Sequence, residues 1–188
     1  MGNSESSTPV SLCYLSDKGQ GLYETNNNIS NKSSLCCQLP VKLKQGDRII
    51  ITGTTLPTFK SFSVNLSQDN NIDKDCVLHF NPRFRFNSKC TDGQVVMNYK
   101  KNSKWRKEER WLNMPFNTNQ PFVIEIAVTK QSYVITIDDS PFYAFNHRVD
   151  MHEANFIYIS GDVSISSIQL FNSDTTRAVK SAPPAYFM

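Results

Sequence analysis

Residues 132–141 read S-Y-V-I-T-I-D-D-S-P. Side chains of an extended chain alternate between two faces. Tyr133, Ile135 and Ile137 therefore share one face, and Ser132, Val134, Thr136 and Asp138 share the other. Asp138-Asp139-Ser140-Pro141 is a turn signal, since Asp tolerates left-handed backbone and Pro fixes φ. A strand that ends in a turn is expected here, with a second strand after it. The same pattern recurs outward. Stretches 47–55, 59–66, 75–80, 83–87, 94–100, 104–111, 121–129, 142–146, 155–160 and 162–171 are rich in Val, Ile, Phe and Thr. Clusters of Asn, Asp, Gly and Pro separate them. Together with 132–138 they make about eleven short strands at roughly ten-residue spacing, which is the pattern of an antiparallel sandwich or barrel. No helical apolar stripe is sustained, and no internal repeat is found.

Composition agrees. The chain has 188 residues, 39% hydrophobic and 20% charged, within the range of a globular protein. Asn (18 residues) and Ser (21 residues) are heavily used and Ala and Leu are scarce, which disfavours helix. No apolar run approaches the roughly 20 residues of a membrane-spanning helix. A net charge of +3 argues against a globally basic nucleic-acid binder. The five cysteines, Cys13, Cys36, Cys37, Cys76 and Cys90, have no regular spacing and no apolar signal core precedes them. They read as free thiols of a protein made in a reducing compartment.

Residues 79–110 carry the chemistry: HFNPRFRFNSKCTDGQVVMNYKKNSKWRKEER. On a strand His79, Asn81 and Arg83 point to one face. They supply a neutral donor or acceptor, an amide and a rigid five-donor fork, a set suited to a fixed polyol. Pro82 suggests an irregularity or an edge strand. Asn98 adds a second amide. Trp105, Glu108 and Arg110 add an indole, a carboxylate and a guanidinium. An aromatic plate beside directional hydrogen bonders suits a sugar, whose C–H face packs on the ring while its hydroxyls take charge-assisted bonds. Two adjacent carboxylates, Glu108 and Glu109, face opposite ways on a strand. Glycoside hydrolysis needs two carboxylates about 5–9 Å apart across one bond, so a binding protein is expected and not an enzyme.

H-x-N-P-R at 79–83, V-x-N at 96–98 and W-x-x-E-x-R at 105–110 resemble the sugar-binding signature of the galectins. The resemblance continues in Met114-Pro115-Phe116, Pro121-Phe122, Phe145-Asn146-His147-Arg148 and Ile159-Ser160-Gly161-Asp162-Val163. It implies an all-β, two-sheet antiparallel jelly-roll sandwich of the concanavalin A-like kind, with a single carbohydrate-recognition domain over 36–172. It also implies a metal-independent lectin for β-galactosides such as lactose and N-acetyllactosamine on glycoproteins or glycolipids, needing no cofactor. His79, Asn81 and Arg83 would bond the axial 4-hydroxyl of galactose. Asn98 and Glu108 would hold its 6-hydroxyl, and Trp105 would stack on its apolar face. Arg83, Glu108 and Arg110 would reach the neighbouring sugar. An equatorial hydroxyl, as in glucose, would leave buried polar groups unpaired, which is costly. His147 and Arg148 match a motif outside the sugar contacts and read as structural. The long connection 84–96, with Arg85, Lys89 and Cys90, borders the expected groove. The run Lys100, Lys101, Lys104, Arg106, Lys107 reads as a solvated connection or a feature favouring acidic glycans.

The ends read differently. Residues 1–35 read as a flexible polar extension, and 173–188 as a tail. Met1-Gly2-Asn3-Ser4-Glu5-Ser6 fits a myristoylation pattern, making Gly2 a candidate lipidation site for weak membrane association. Pro183-Pro184-Ala185-Tyr186 fits P-P-x-Y, a candidate ligand for WW-domain proteins. Sequons begin at Asn28, Asn31 and Asn65 and are expected to be unglycosylated. Crosslinking by one such domain would need a homodimer or the N-terminal extension. The resemblance implies a cytoplasmic location with non-classical export. A galectin-fold interaction module at a membrane, with altered sugar binding, is the alternative reading.

Overall fold

The computed structural model describes residues 20–24, 34–71, 73–84 and 93–173. Gly2, Cys13, Asn28, Asn31, Arg85, Lys89, Cys90, Pro183, Pro184 and Tyr186, and the readings built on them, lie outside the described residues. The chain forms β1 (Gln20–Glu24), β2 (Leu35–Gln38), β3 (Arg48–Thr55), β4 (Phe62–Ser67) and β5 (Cys76–Arg83). These are followed by β6 (Gln94–Lys101), β7 (Lys104–Trp105), β8 (Glu109–Trp111), β9 (Pro121–Val128) and β10 (Ser132–Ile137). After β11 (Ser140–Asn146) a single 3-10 turn spans Met151–Glu153, and β12 (Phe156–Gly161) and β13 (Val163–Phe171) close the order. One sheet runs β1-β13-β3-β9-β10-β11. The other runs β2-β12-β4-β5-β6-β7, with β8 also paired to β6. All ladders are antiparallel. This is the two-layer, all-β sandwich that the sequence pattern leads to.

The alternation read from residues 132–138 is the one observed. Tyr133, Ile135 and Ile137 are buried, while Val134 and Thr136 are only partly covered. Asp138 and Asp139 both take positive φ, 49° and 61°, as a two-residue turn between right-twisted strands requires. The Asp138 carboxylate accepts from the Val123 N–H at 2.8 Å, tying the turn to β9. The sheets are joined through aromatic rings. Phe62 of β4 stacks on Phe122 of β9 at 5.5 Å and 9°, and Phe116 meets both edge-on at 5.2 and 5.5 Å. The motifs containing Phe116 and Phe122 therefore serve the core.

Four expectations need correcting. Strands β1 and β2 lie before the first stretch picked out by pattern, because each is short and paired to a long partner. Stretch 104–111 is two strands, since the chain leaves β6 after Trp105 and rejoins it at Glu109. Of the two readings of Pro82 the irregularity holds and the edge does not, since it lies in an interior strand, opposite Val95 of β6. The β4 ladder stops at Phe80, with only a Ser61–Arg83 bridge beyond. The Phe62 carbonyl instead accepts from Asn81 Nδ2, so the preceding side chain supplies the donor that Pro82 lacks. Finally, Cys36 and Cys76 are free but Cys37 is disulfide-bonded, because pairing follows proximity in the fold and not spacing in sequence. Burial raises both free thiols, Cys76 to about 11, so they are not thiolates at neutral pH.

Candidate functional site

All seven residues singled out in 79–110 converge on the outer face of the seven-stranded sheet. His79, Asn81 and Arg83 alternate along β5, with Leu78 and Phe80 buried on the opposite side. Register places His79 opposite Asn98 of β6. Trp105 of β7 stands opposite Lys100, and Arg110 of β8 stands opposite Val96. Four strands and one connection thus deliver the seven side chains.

The polar groups form a chain of bonds across the face. Asn81 Oδ1 accepts from Arg83 Nε at 2.6 Å. Arg83 Nη2 reaches Glu108 Oε1 at 3.4 Å, and Arg110 Nη2 reaches Glu108 Oε2 at 2.5 Å. Arg110 Nη1 lies 3.5 Å from Gln94 Oε1. Both carboxylate oxygens are therefore committed to guanidinium groups, which fixes the direction of every donor fork. Asn98 is buried; its Nδ2 donates to the Arg106 carbonyl at 3.0 Å and so anchors the 106–108 connection that carries Glu108. Glu109 points away and binds Tyr143 Oη at 2.9 Å and Arg148 Nη2 at 2.6 Å. The two adjacent carboxylates diverge, and among the described residues no pair straddles the face.

Trp105 is 47% exposed, an uncommon degree for an indole that also makes specific contacts. Its ring lies 4.6 Å from the His79 ring, and Lys100 Nζ sits 4.4 Å from its centroid. The β6–β7 turn beneath it is rigidly held. Asn102 and Ser103 take positive φ, and Asp75 accepts both of their backbone N–H groups at 2.8 and 2.7 Å. The His79 pKa falls from 6.5 to about 4, chiefly through burial, with the Arg83 and Lys100 cations adding to it and Glu108 opposing. The imidazole is neutral at physiological pH. Among the described residues no cluster of three or more His, Cys, Asp or Glu could hold a metal ion.

The comparisons with known proteins converge. A family model described as galactoside-binding lectin matches residues 35–170.

The chain belongs to this family, the galectins.

Galectin-7 of Homo sapiens is 30% identical over 145 residues, covering 77% of this chain and 99% of that protein. Galectin-4 of Bos taurus is 31% identical over 132 residues, covering 69% of this chain and 38% of that relative. A doubly substituted form of human galectin-16 superposes with a TM-score of 0.64 at 29% identity, over 72% of this chain and 94% of that one. The resemblance read from the signature motifs and the fold inferred from it both hold for this galectin.

Sequence reasoning missed three contributors to the face and read a fourth, Lys100, only as part of a basic run. Asn65 contacts His79, Lys100 covers Trp105, Gln94 contacts Arg110 and Asp75 clamps the turn. All four are polar or charged residues inside strand runs or beside them, and Asn65 within the apolar stretch Phe62–Leu66 was the clearest unused signal. His147 and Arg148 lie apart from the seven. His147 packs at right angles on Tyr133, 4.4 Å between ring centres, and Arg148 pairs with Glu109.

Proposed function

We propose that this galectin binds β-galactosides of the lactose and N-acetyllactosamine type, without metal and without turning them over, on glycoproteins or glycolipids. One observation carries the reading: a half-exposed indole stands beside a pre-oriented Asn81–Arg83–Glu108–Arg110 chain. The Trp105 ring offers an apolar plate for the C–H face of galactose. His79, Asn81 and Arg83 take the axial 4-hydroxyl, and Asn98 and Glu108 take the 6-hydroxyl. Arg83, Glu108 and Arg110 extend to the second sugar. Because their bonds already exist in the free protein, little ordering entropy opposes binding. Family membership supports this assignment, as do the relatives' names. The divergence of Glu108 and Glu109 favours binding over hydrolysis. Among the described residues no helix is long and apolar enough to cross a membrane, and a cytoplasmic location with export by a non-classical route fits the family.

The test is retention on a lactose matrix in EDTA and elution by free lactose. Trp105→Ala should lose at least tenfold in affinity while its melting temperature stays within a few degrees. Flow-through of the parent chain, or undiminished binding by Trp105→Ala, would overturn the assignment.

A further inference from the structure

We propose that Cys37 is bridged to Cys13, and that this bridge is a redox-sensitive clamp on β1. The inference goes beyond the sugar-binding reading and does not depend on it. The chain has five cysteines. Cys36 and Cys76 are free, and Cys37 is disulfide-bonded. Its partner within the chain is therefore Cys13 or Cys90, both outside the described residues. The adjacent Cys36 does not compete, because neighbours on a strand face opposite ways. Cys37 is buried on the core side of β2, while Cys36 is only partly covered and its Sγ lies 3.9 Å from the Asn70 carbonyl oxygen.

Register excludes Cys90. Cys37, Ile157, Leu66 and Leu78 form one buried row across β2, β12, β4 and β5. Gly93 lies against the Arg83 carbonyl, at the far end of β5. Arg83 is five residues along the strand from Leu78, about 17 Å, and three strand spacings from β2, about 14 Å. Arg83 and Cys37 are thus about 22 Å apart. Cys90 stands three residues before Gly93, a reach of about 10 Å, and bridged Cα atoms lie at most about 7 Å apart. The two together fall short, and buried Phe62, Val64 and Phe80 fill the space between. Cys13 passes the same test. The β8 and β11 edges meet through the Glu109–Tyr143 bond, so the β1 and β2 edges share the opposite side of the sandwich. Gln20 is level with Phe171, where β13 finishes, and Cys37 with Ile157, near where β12 begins. Asp162 joins β12 to β13 at their other ends, so Gln20 and Cys37 lie at one end of the molecule. Stacked sheets are about 10 Å apart, and the seven residues from Cys13 to Gln20 reach about 23 Å.

The bridge closes the loop 13–37, which contains β1. That strand pairs with β13 alone among the described strands and covers its edge. Closing the loop removes open arrangements of the segment and so holds β1 in place, whereas the reduced chain keeps β1 by its backbone ladder only. The oxidant is a small-molecule disulfide such as oxidised glutathione. Cys37 is 4% exposed, so the Cys13 thiolate reacts first. It attacks glutathione disulfide, breaks its S–S bond and releases one glutathione thiolate. The Cys37 thiolate then attacks the mixed disulfide at the Cys13 sulfur and releases the second. Two cysteines are oxidised, one glutathione disulfide is reduced to two thiols, and the cysteine protons pass to them. A reducing cytosol keeps the clamp open, and an oxidising exterior closes it.

The experiment uses the full chain, equilibrated with either reduced or oxidised glutathione. Remaining thiols are then alkylated, and the peptides are sequenced by mass spectrometry. The oxidised parent should show Cys13 linked to Cys37, with Cys36, Cys76 and Cys90 alkylated. Cys90→Ser should keep the bridge, and Cys13→Ser should lose it. Hydrogen exchange of the β1 amides should slow about tenfold or more when the parent is oxidised. The same amides should not respond to oxidation in Cys13→Ser. The comparison of the two parent states involves no substitution, so it decides the clamp even where a variant fails to fold. A Cys37–Cys90 link, no link in oxidised glutathione, or a bridge that persists in Cys13→Ser would overturn the assignment. Equal β1 exchange in the reduced and oxidised parent would overturn the clamp.

Discussion

The buried His79 ring makes folding stability depend on acid in a calculable way. Its pKa is 6.5 when solvated and about 4 in the folded protein. Above pH 6.5 the ring is neutral in both states and contributes no pH dependence. As the pH falls from 6.5 toward 4, the unfolded chain takes up a proton that the folded chain refuses. Stability is lost across that window, and the loss is complete below it. The displacement corresponds to about 3 kcal/mol in full, and to about 2 kcal/mol at pH 4.5 for a ring that remains partly solvated. His79→Gln removes the titration while keeping a polar side chain. Urea unfolding followed by tryptophan fluorescence at pH 7.5 and 4.5 gives both stabilities, and carboxylates common to the two proteins cancel in their difference. The parent should lose about 2 kcal/mol relative to His79→Gln on going to pH 4.5. A relative change below about 0.5 kcal/mol, within the error of such extrapolations, would refute the buried neutral ring. A direct proton titration of His79 with a midpoint near 6.5 would refute it independently.

Three further perturbations test the scaffold. Phe122→Ala removes the ring that stacks on Phe62 between the sheets and should cost about 3–5 kcal/mol in chemical denaturation; a loss under about 1 kcal/mol would mean the sheets are not joined there. Gly161 has φ +110°, and an added Cβ would lie 2.5 Å from the Ser61 carbonyl oxygen. Gly161→Ala should therefore destabilise by about 2–3 kcal/mol, visible as a lowered melting temperature, and an unchanged one would contradict this turn. Asp139 holds φ 61° at the second turn position between β10 and β11. Asp139→Gly should stabilise by roughly 0.5 kcal/mol, and a clear loss in calorimetry would argue against this turn geometry.

The parts of the fold legible in the sequence are those fixed by neighbours along the chain. The alternation of Tyr133, Ile135 and Ile137 and the paired aspartates after them declare a strand and a tight turn without help from any partner. What escaped is decided by pairing. Leu35–Gln38 has too few residues to show a period, and it becomes a strand because β12 offers its edge. Pro82 argued locally against an interior strand. Its missing donor is made good by the Asn81 side chain, a substitution no single-residue rule contains.

The same division runs through the site. Parity on β5 puts His79, Asn81 and Arg83 together from sequence alone. Their alignment with the rest depends on two irregularities, between Leu66 and Ser67 in the β4–β5 ladder and between Cys76 and His79 in the β5–β6 ladder. These shifts set His79 level with both Asn65 and Asn98. A strict alternation counted from the turn at residues 68–75 would not reveal that alignment, because each bulge changes the register by its own amount. It follows that the face is specified twice. Motif residues supply the polar groups of the face, and register supplies the buried amide that contacts one of them. Variants that keep every motif residue but disturb either bulge should therefore lose lactose affinity while the signature remains intact.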